Sequence, residues 1–195
     1  MRPARTVIAT VIFAAAIVLT GCSVHSRAAQ PSPPQTAPNP THTPRPVDRQ
    51  ALIYAAVLRQ YLTSGDAAIA ADYRFPQIFV IDHAVAGAGA SGPGTSGDEP
   101  IPPAARRAIT HALTDVGPLT FVASGDEVIE PHSCANVRGD GILITLGPVE
   151  GTGDRVQVGV NGHMGCLGAN SLTYEVQQTS SGWMVSGITA LGPVA

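Results

Sequence analysis

The apolar and polar positions of this chain fall into three regimes. Residues 7–20 are almost wholly apolar. Residues 23–47 carry no apolar bulk, and from Asp48 onward apolar residues return at regular spacing. In the third regime Asp48 is a good N-cap, and 49–62 follows without glycine or proline, which predicts a helix. Leu52, Ile53, Ala56, Val57 and Tyr61 recur three and four residues apart and predict its buried face. Gly65 closes it, and 67–72 has the composition for one more helical turn.

Residues 77–83 (Gln-Ile-Phe-Val-Ile-Asp-His) are β-branched and aromatic without polar alternation, the pattern of a central strand buried on both faces. Residues 84–100 then hold five glycines and two prolines. A loop of that length is a lid or a flexible insertion. It has no aromatic or ligand-type residue to grip with, so insertion is the expectation. Pro102 and Pro103 open a second helix, where a missing N–H costs nothing. Ala105, Ala108, Ile109, Ala112 and Leu113 form its expected stripe, and Gly117-Pro118 ends it. Residues 119–122 predict a short strand. Strands follow at 142–146, 155–160, 172–177 and 183–188, separated by turn formers at 150–154 and 180–182. Two helices before a run of hairpin-linked strands argue an α+β fold: two N-terminal helices packed on a mainly antiparallel sheet that ends in a C-terminal meander.

The first regime is a leader. Arg2 and Arg5 precede the apolar run, which is shorter than the roughly 20 residues a membrane span needs, and Ser23, His25, Ser26 and Arg27 stop it. Leu19, Thr20, Gly21 and Cys22 close it, and this arrangement resembles the lipobox of bacterial lipoproteins. The resemblance implies cleavage after Gly21 and a diacylglyceryl group on the Cys22 thiol, with a further acyl chain such as palmitate on its amino group. It implies a cell-envelope protein held on the outer side of the cytoplasmic membrane. Each buried CH₂ contributes about 0.8 kcal/mol, so one chain holds marginally and two hold firmly. The expected organisation is a signal peptide at 1–21, a lipidated cysteine and tether at 22–47, and a single domain at 48–195. The tether contains Pro31, Pro33, Pro34, Pro38, Pro40, Pro44 and Pro46 among Ser, Thr, Gln and Asn. Such chain cannot offset its ordering entropy by burial. Extended at about 3.1 Å per residue, it reaches roughly 70 Å.

Composition narrows the partners. No lysine occurs, and loss of Arg2 and Arg5 with the leader leaves nine arginines against fourteen acids, a charge of −5. Nucleic acid is excluded as a partner, because phosphate neutralisation needs clustered cations. The membrane, reached through the lipid, is the expected partner, with an envelope protein, a wall component or a small apolar ligand beyond it. Gly-x-Gly-x-x-Gly occurs at Gly87, Gly89 and Gly92 after a strand, but Pro93 and Gly94 follow where a phosphate-binding helix would have to start. Dinucleotide binding is therefore not expected, and no other pattern calls for a cofactor.

With Cys22 assigned to lipid, Cys134 and Cys166 remain, and an even pair in an exported protein defaults to a disulfide. It would close a loop of about 30 residues and contribute roughly 3 kcal/mol. His132 and His163 flank them, so His132, Cys134, His163 and Cys166 are also the ligand types of a tetrahedral zinc site. Oxidation outside the cytosol favours the disulfide. Asp82 and His83 end the central strand, where sites often form but where polar residues are more commonly solvated. Ser124, His83 and Asp126 supply the types of a hydrolytic triad with nothing local to assemble it. Trp183 belongs to the core by type. The last hairpin, a polar turn followed by Gly-Trp-x-Val, resembles that of NTF2-like and cystatin-like domains. No constellation selects a reaction, so a non-catalytic envelope lipoprotein is the expectation, with a metal-binding lipoprotein or a small exported hydrolase as alternatives.

Overall fold

The computed structural model describes residues 46–66, 72–89, 98–131, 135–165 and 168–192. They form the expected α+β architecture, two helices on a six-stranded mixed sheet. Helix α1 spans Pro46–Thr63 and α2 Pro103–Ala112. The sheet contains β1 (Ile78–Ile81), β4 (Leu119–Val122), β5 (Ile142–Leu146), β6 (Arg155–His163), β7 (Ala169–Thr179) and β8 (Gly182–Leu191), in the order β4-β1-β5-β6-β7-β8. Strands β2 (His83–Ala84) and β3 (Glu99–Pro100) pair separately, antiparallel.

Strand β1 occupies the place its uniform hydrophobicity predicts. All four residues are buried, and β1 pairs parallel with β4 on one side and β5 on the other. Its even residues, Ile78 and Val80, join the helix-facing core, whereas Phe79 and Ile81 join a second, smaller cluster with Val122, Val128, Val137 and Leu143. Val128 and Val137, both between β4 and β5 in sequence, cover that second face, so the sheet is not open there on the side away from the helices. From β5 onward the meander is antiparallel and sequential. Along β6, Val156, Val158 and Val160 face the helices, with Gln157 and Asn161 half-buried on the opposite face.

Three local expectations are corrected. Helix α1 begins at Pro46, so Asp48 sits inside its first turn instead of capping it. The fixed φ of proline suits a first helical turn, and the tether's prolines hid that start. The buried face of α1 is Ala51, Ile53, Tyr54, Val57, Leu58, Tyr61 and Leu62, whereas Leu52 is 48% exposed. The stripe therefore lies about one position round from the one drawn through Leu52. Of the stripe expected on α2, Ala105, Ile109 and the C-cap residue Leu113 are buried, and Ala108 and Ala112 are exposed, because alanine is small enough to sit on either face. Asp72 is in a turn, and the rest of the turn expected at 67–72 lies outside the described residues.

The helices are fixed by specific contacts as well as by burial. Arg59 of α1 makes a bidentate pair with Asp115, at 2.7 and 2.9 Å, and donates to the Ala112 carbonyl at 2.6 Å, placing a cation at the C-terminus of α2. Trp183 is buried against α1, and the Arg49 guanidinium lies 4.9 Å from its ring centre.

Candidate functional site

The C-terminal end of β1 is where the sheet concentrates polar chemistry. Asp82 follows the last residue of β1, and its backbone N–H donates to the Val122 carbonyl at 2.9 Å. Its carboxylate receives Arg106 Nη1 on Oδ2 at 2.9 Å, and His83 Nδ1 stands 3.1 Å from Oδ1. All three side chains are about 30% exposed. Asp82 is thus tied to α2 instead of being a freely solvated strand end. It orients the His83 ring, but among the described residues no hydroxyl or thiol bonds that ring.

The triad drawn on paper does not assemble. Ser124 caps a short 3₁₀ turn, accepting from the Asp126 N–H at 3.1 Å, while Glu127 Oε1 accepts from the Ser124 N–H at 3.1 Å. That reciprocal capping box accounts structurally for the side chains of Ser124 and Glu127. The carboxylate beside His83 is Asp82, not Asp126.

His163, at the end of β6, stands with Nε2 2.9 Å from the Ala135 carbonyl. A carbonyl only accepts, so Nε2 is the donor in this bond. Two residues on, Gly165 has φ +75°, and a side chain there would come within 2.7 Å of the Asn136 Cα. The chain at 135–136 therefore lies directly on the chain at 163–165. Cys22, His132, Cys134 and Cys166 lie outside the described residues.

Of the glycine motif, Gly87 and Gly89 are described, and both have positive φ. Gly89 N–H donates to the Asn161 Oδ1 at 3.1 Å, and the Val85 N–H to the Leu146 carbonyl at 2.8 Å. A side chain on Gly159 would overlap the Ala88 carbonyl. Residues 85–89 thus lie on the sheet face away from the helices, and these glycines permit close approach of two backbones. Asp98 accepts from the Ala86 N–H at 3.2 Å, and β3 pairs with β2, so both ends of the long loop are tied down.

Sequence reasoning missed a buried polar network at the end of α1. Tyr61 donates to the Asn170 Oδ1; Asn170 Nδ2 donates to the Asp66 carbonyl at 2.6 Å, and Tyr174 donates to the Asp66 carboxylate at 2.9 Å. Burial pushes both phenols well above the ordinary tyrosine range, and the Asp66 charge adds to the effect. A side chain at Gly162 would overlap the Tyr61 hydroxyl, so that glycine admits the bond. Tyr61 sat on the predicted stripe, but no local pattern links it to Asn170, 109 residues away.

Two open grooves flank the helices. One, of about 580 Å³, runs between α2 and the edge strand β4, lined by Pro103, Arg106, Arg107, Thr110, His111 and Phe121 among others. The other, of about 380 Å³, lies between α1 and the start of β8, around Leu52, Arg59, Trp183 and Met184. Among the described residues no group of three or more His, Cys, Asp or Glu side chains is placed to hold a metal ion, and no helix is long and apolar enough to cross a membrane. Comparison with protein-family models, curated proteins and solved structures finds no match.

Proposed function

We propose that this protein is a lipid-anchored interaction domain of the cell envelope, tethered outside the cytoplasmic membrane by an acylated Cys22. The observation that carries the reading is the apolar leader ending in Leu19, Thr20, Gly21 and Cys22, followed by the proline-rich spacer. The folded body supports a binding role over a catalytic one. Its candidate reactive side chains are engaged structurally: Ser124 in a cap, Asp82 with Arg106, His163 with the Ala135 carbonyl. The same reading includes a Cys134–Cys166 disulfide, supported by the contact of Ala135 and Asn136, just after one cysteine, with His163 and Gly165, just before the other. The two thiols would give two electrons and two protons to the disulfide of an envelope thiol oxidoreductase, which leaves as a dithiol.

The test is fractionation and intact-mass measurement of the natural chain beside a Cys22→Ala variant. The natural chain is expected in the membrane fraction with added acyl mass, and the variant without that mass. An unmodified natural chain would overturn the reading. Thiol titration decides the sulfur chemistry. Two sulfurs that react only after reduction support the bridge. Two thiols free without reductant, with bound zinc, support the alternative metal site of His132, Cys134, His163 and Cys166.

A further inference from the structure

We propose that the groove between α2 and the edge strand β4 receives an extended acidic peptide segment, which joins the sheet as a strand beside β4. This deepens the reading of the body as an interaction domain by naming a surface and a partner chemistry.

The backbone supplies the first argument. Strand β4 has β1 on one side and no strand on the other. The carbonyls of Pro118 and Val122 accept from the N–H groups of Ile78 and Asp82. Alternation along the strand therefore turns the N–H and C=O of Leu119 and Phe121 toward the open side. Its four residues are uncharged, contain no proline and pair with β1 in unbroken register, so shortness is the one usual device that limits this edge: no charge, proline or bulge blunts it. An extended chain is the partner whose own backbone meets such groups in kind.

Charge supplies the second. Helix α2 carries Arg106, Arg107 and His111 and no acid, on a chain of net charge −3. Arg106 is committed to Asp82. Arg107 and His111 are exposed and line the groove, and Arg107 makes no ion pair among the described residues. The spacing also agrees. Arg107 and His111 are one helical turn apart, about 6 Å along α2. Alternate residues of a strand lie about 6.7 Å apart on one face. Two carboxylates at positions i and i+2 of an added strand would therefore meet both groups, and Phe121, half-buried on the helix-facing side of β4, lies beneath them.

The probe is a fluorescein-labelled, acetylated hexapeptide of alternating Thr and Glu, titrated against the mature full-length protein in detergent and followed by anisotropy. Saturable binding is expected. Arg107→Glu, with unchanged thermal unfolding, should weaken it by about tenfold. A Gln-for-Glu peptide, and an acidic peptide N-methylated at alternate amides, should bind weakly. Amide exchange at Leu119 and Phe121 should slow on binding. The proposal is overturned if the N-methylated peptide binds as well as its parent, or if neither amide is protected. It is overturned equally if the protein ignores the peptide, including the case in which it binds vesicles of phosphatidylglycerol through Arg107 instead. Membrane fractionation reports on the anchor independently, so failure here is distinguishable from failure of the lipoprotein reading.

Discussion

The parallel and antiparallel halves of the sheet protect themselves by different means. Strands β4, β1 and β5 bury side chains on both faces, against the helices on one and with Val128 and Val137 on the other. Strands β6, β7 and β8 have a hydrophobic face toward the helices and a more polar one away from them. The edges differ accordingly. The β4 edge is short and regular, beside a cationic groove. The β8 edge is ten residues long and exposes Met184, Ile188 and Leu191, yet its pairing with β7 is interrupted twice. Ser186 and Thr189 are the extra residues, and their hydroxyls bond back to β7 at Glu175 and Thr173. Bulges of this kind bend an edge away from a would-be partner. A long apolar edge made irregular and a short one left regular suggest where a strand is kept out and where one is admitted.

The contrast is open to direct attack. Deleting Ser186 and Thr189 together would join Val185 to Gly187 and Ile188 to Ala190, restoring register against β7. Sedimentation velocity should then show concentration-dependent association; a variant as dispersed as its parent would mean that the bulges do not guard β8. Next in size, Phe79→Ala should cost about 3–5 kcal/mol in urea unfolding, because Phe79 is buried in the second cluster. Gln157→Ala, on the same face of the antiparallel half, should stay within about 0.5 kcal/mol. Equal losses would erase the distinction between the halves.

Tyr61→Phe should cost about 1–3 kcal/mol by leaving the Asn170 oxygen without its donor. The folded state holds the Tyr54, Tyr61 and Tyr174 phenols neutral above the ordinary value of 10.0. Their stabilising contribution is therefore complete below pH 10 and declines as pH rises further, which phenolate absorbance during alkaline unfolding would follow. The smallest effect belongs to the exposed Arg59–Asp115 pair joining the helices. The hydrogen bond from Arg59, with a smaller contribution from a backbone hydrogen bond, lowers the Asp115 carboxyl from 3.8 to about 2. The pair's contribution is present above pH 3.8 and fades as pH falls toward 2, so the stability gap between the natural chain and Asp115→Asn should close across that interval.

What could be read in advance follows the range of the forces concerned. Strands β4 and β5 were legible to the residue, because continuous apolar runs between turn formers are local signals. The extent of β6 to β8 was not, since Asn161, Asn170 and Ala190 are poor strand formers drawn into the ladder by their neighbours. Leu52 and Ala108 matched a helical period and still face solvent, because apolar spacing alone does not fix the rotation of a stripe. At the candidate sites, Asp82 and His83 could be found from their place at the end of a buried run. Arg106 could not be assigned to Asp82 before the helix was docked, nor could Tyr61 to Asn170.

The crossing of Ala88 over Gly159 bears on how this protein can be altered. Because the sheet grips the chain up to Gly89, and recovers it at Asp98 and β3, the stretch between those points is held by clamps outside itself. New sequence spliced there would be carried as cargo, its ends already brought together, so a reporter or epitope could be displayed at this point without renegotiating the fold beneath it.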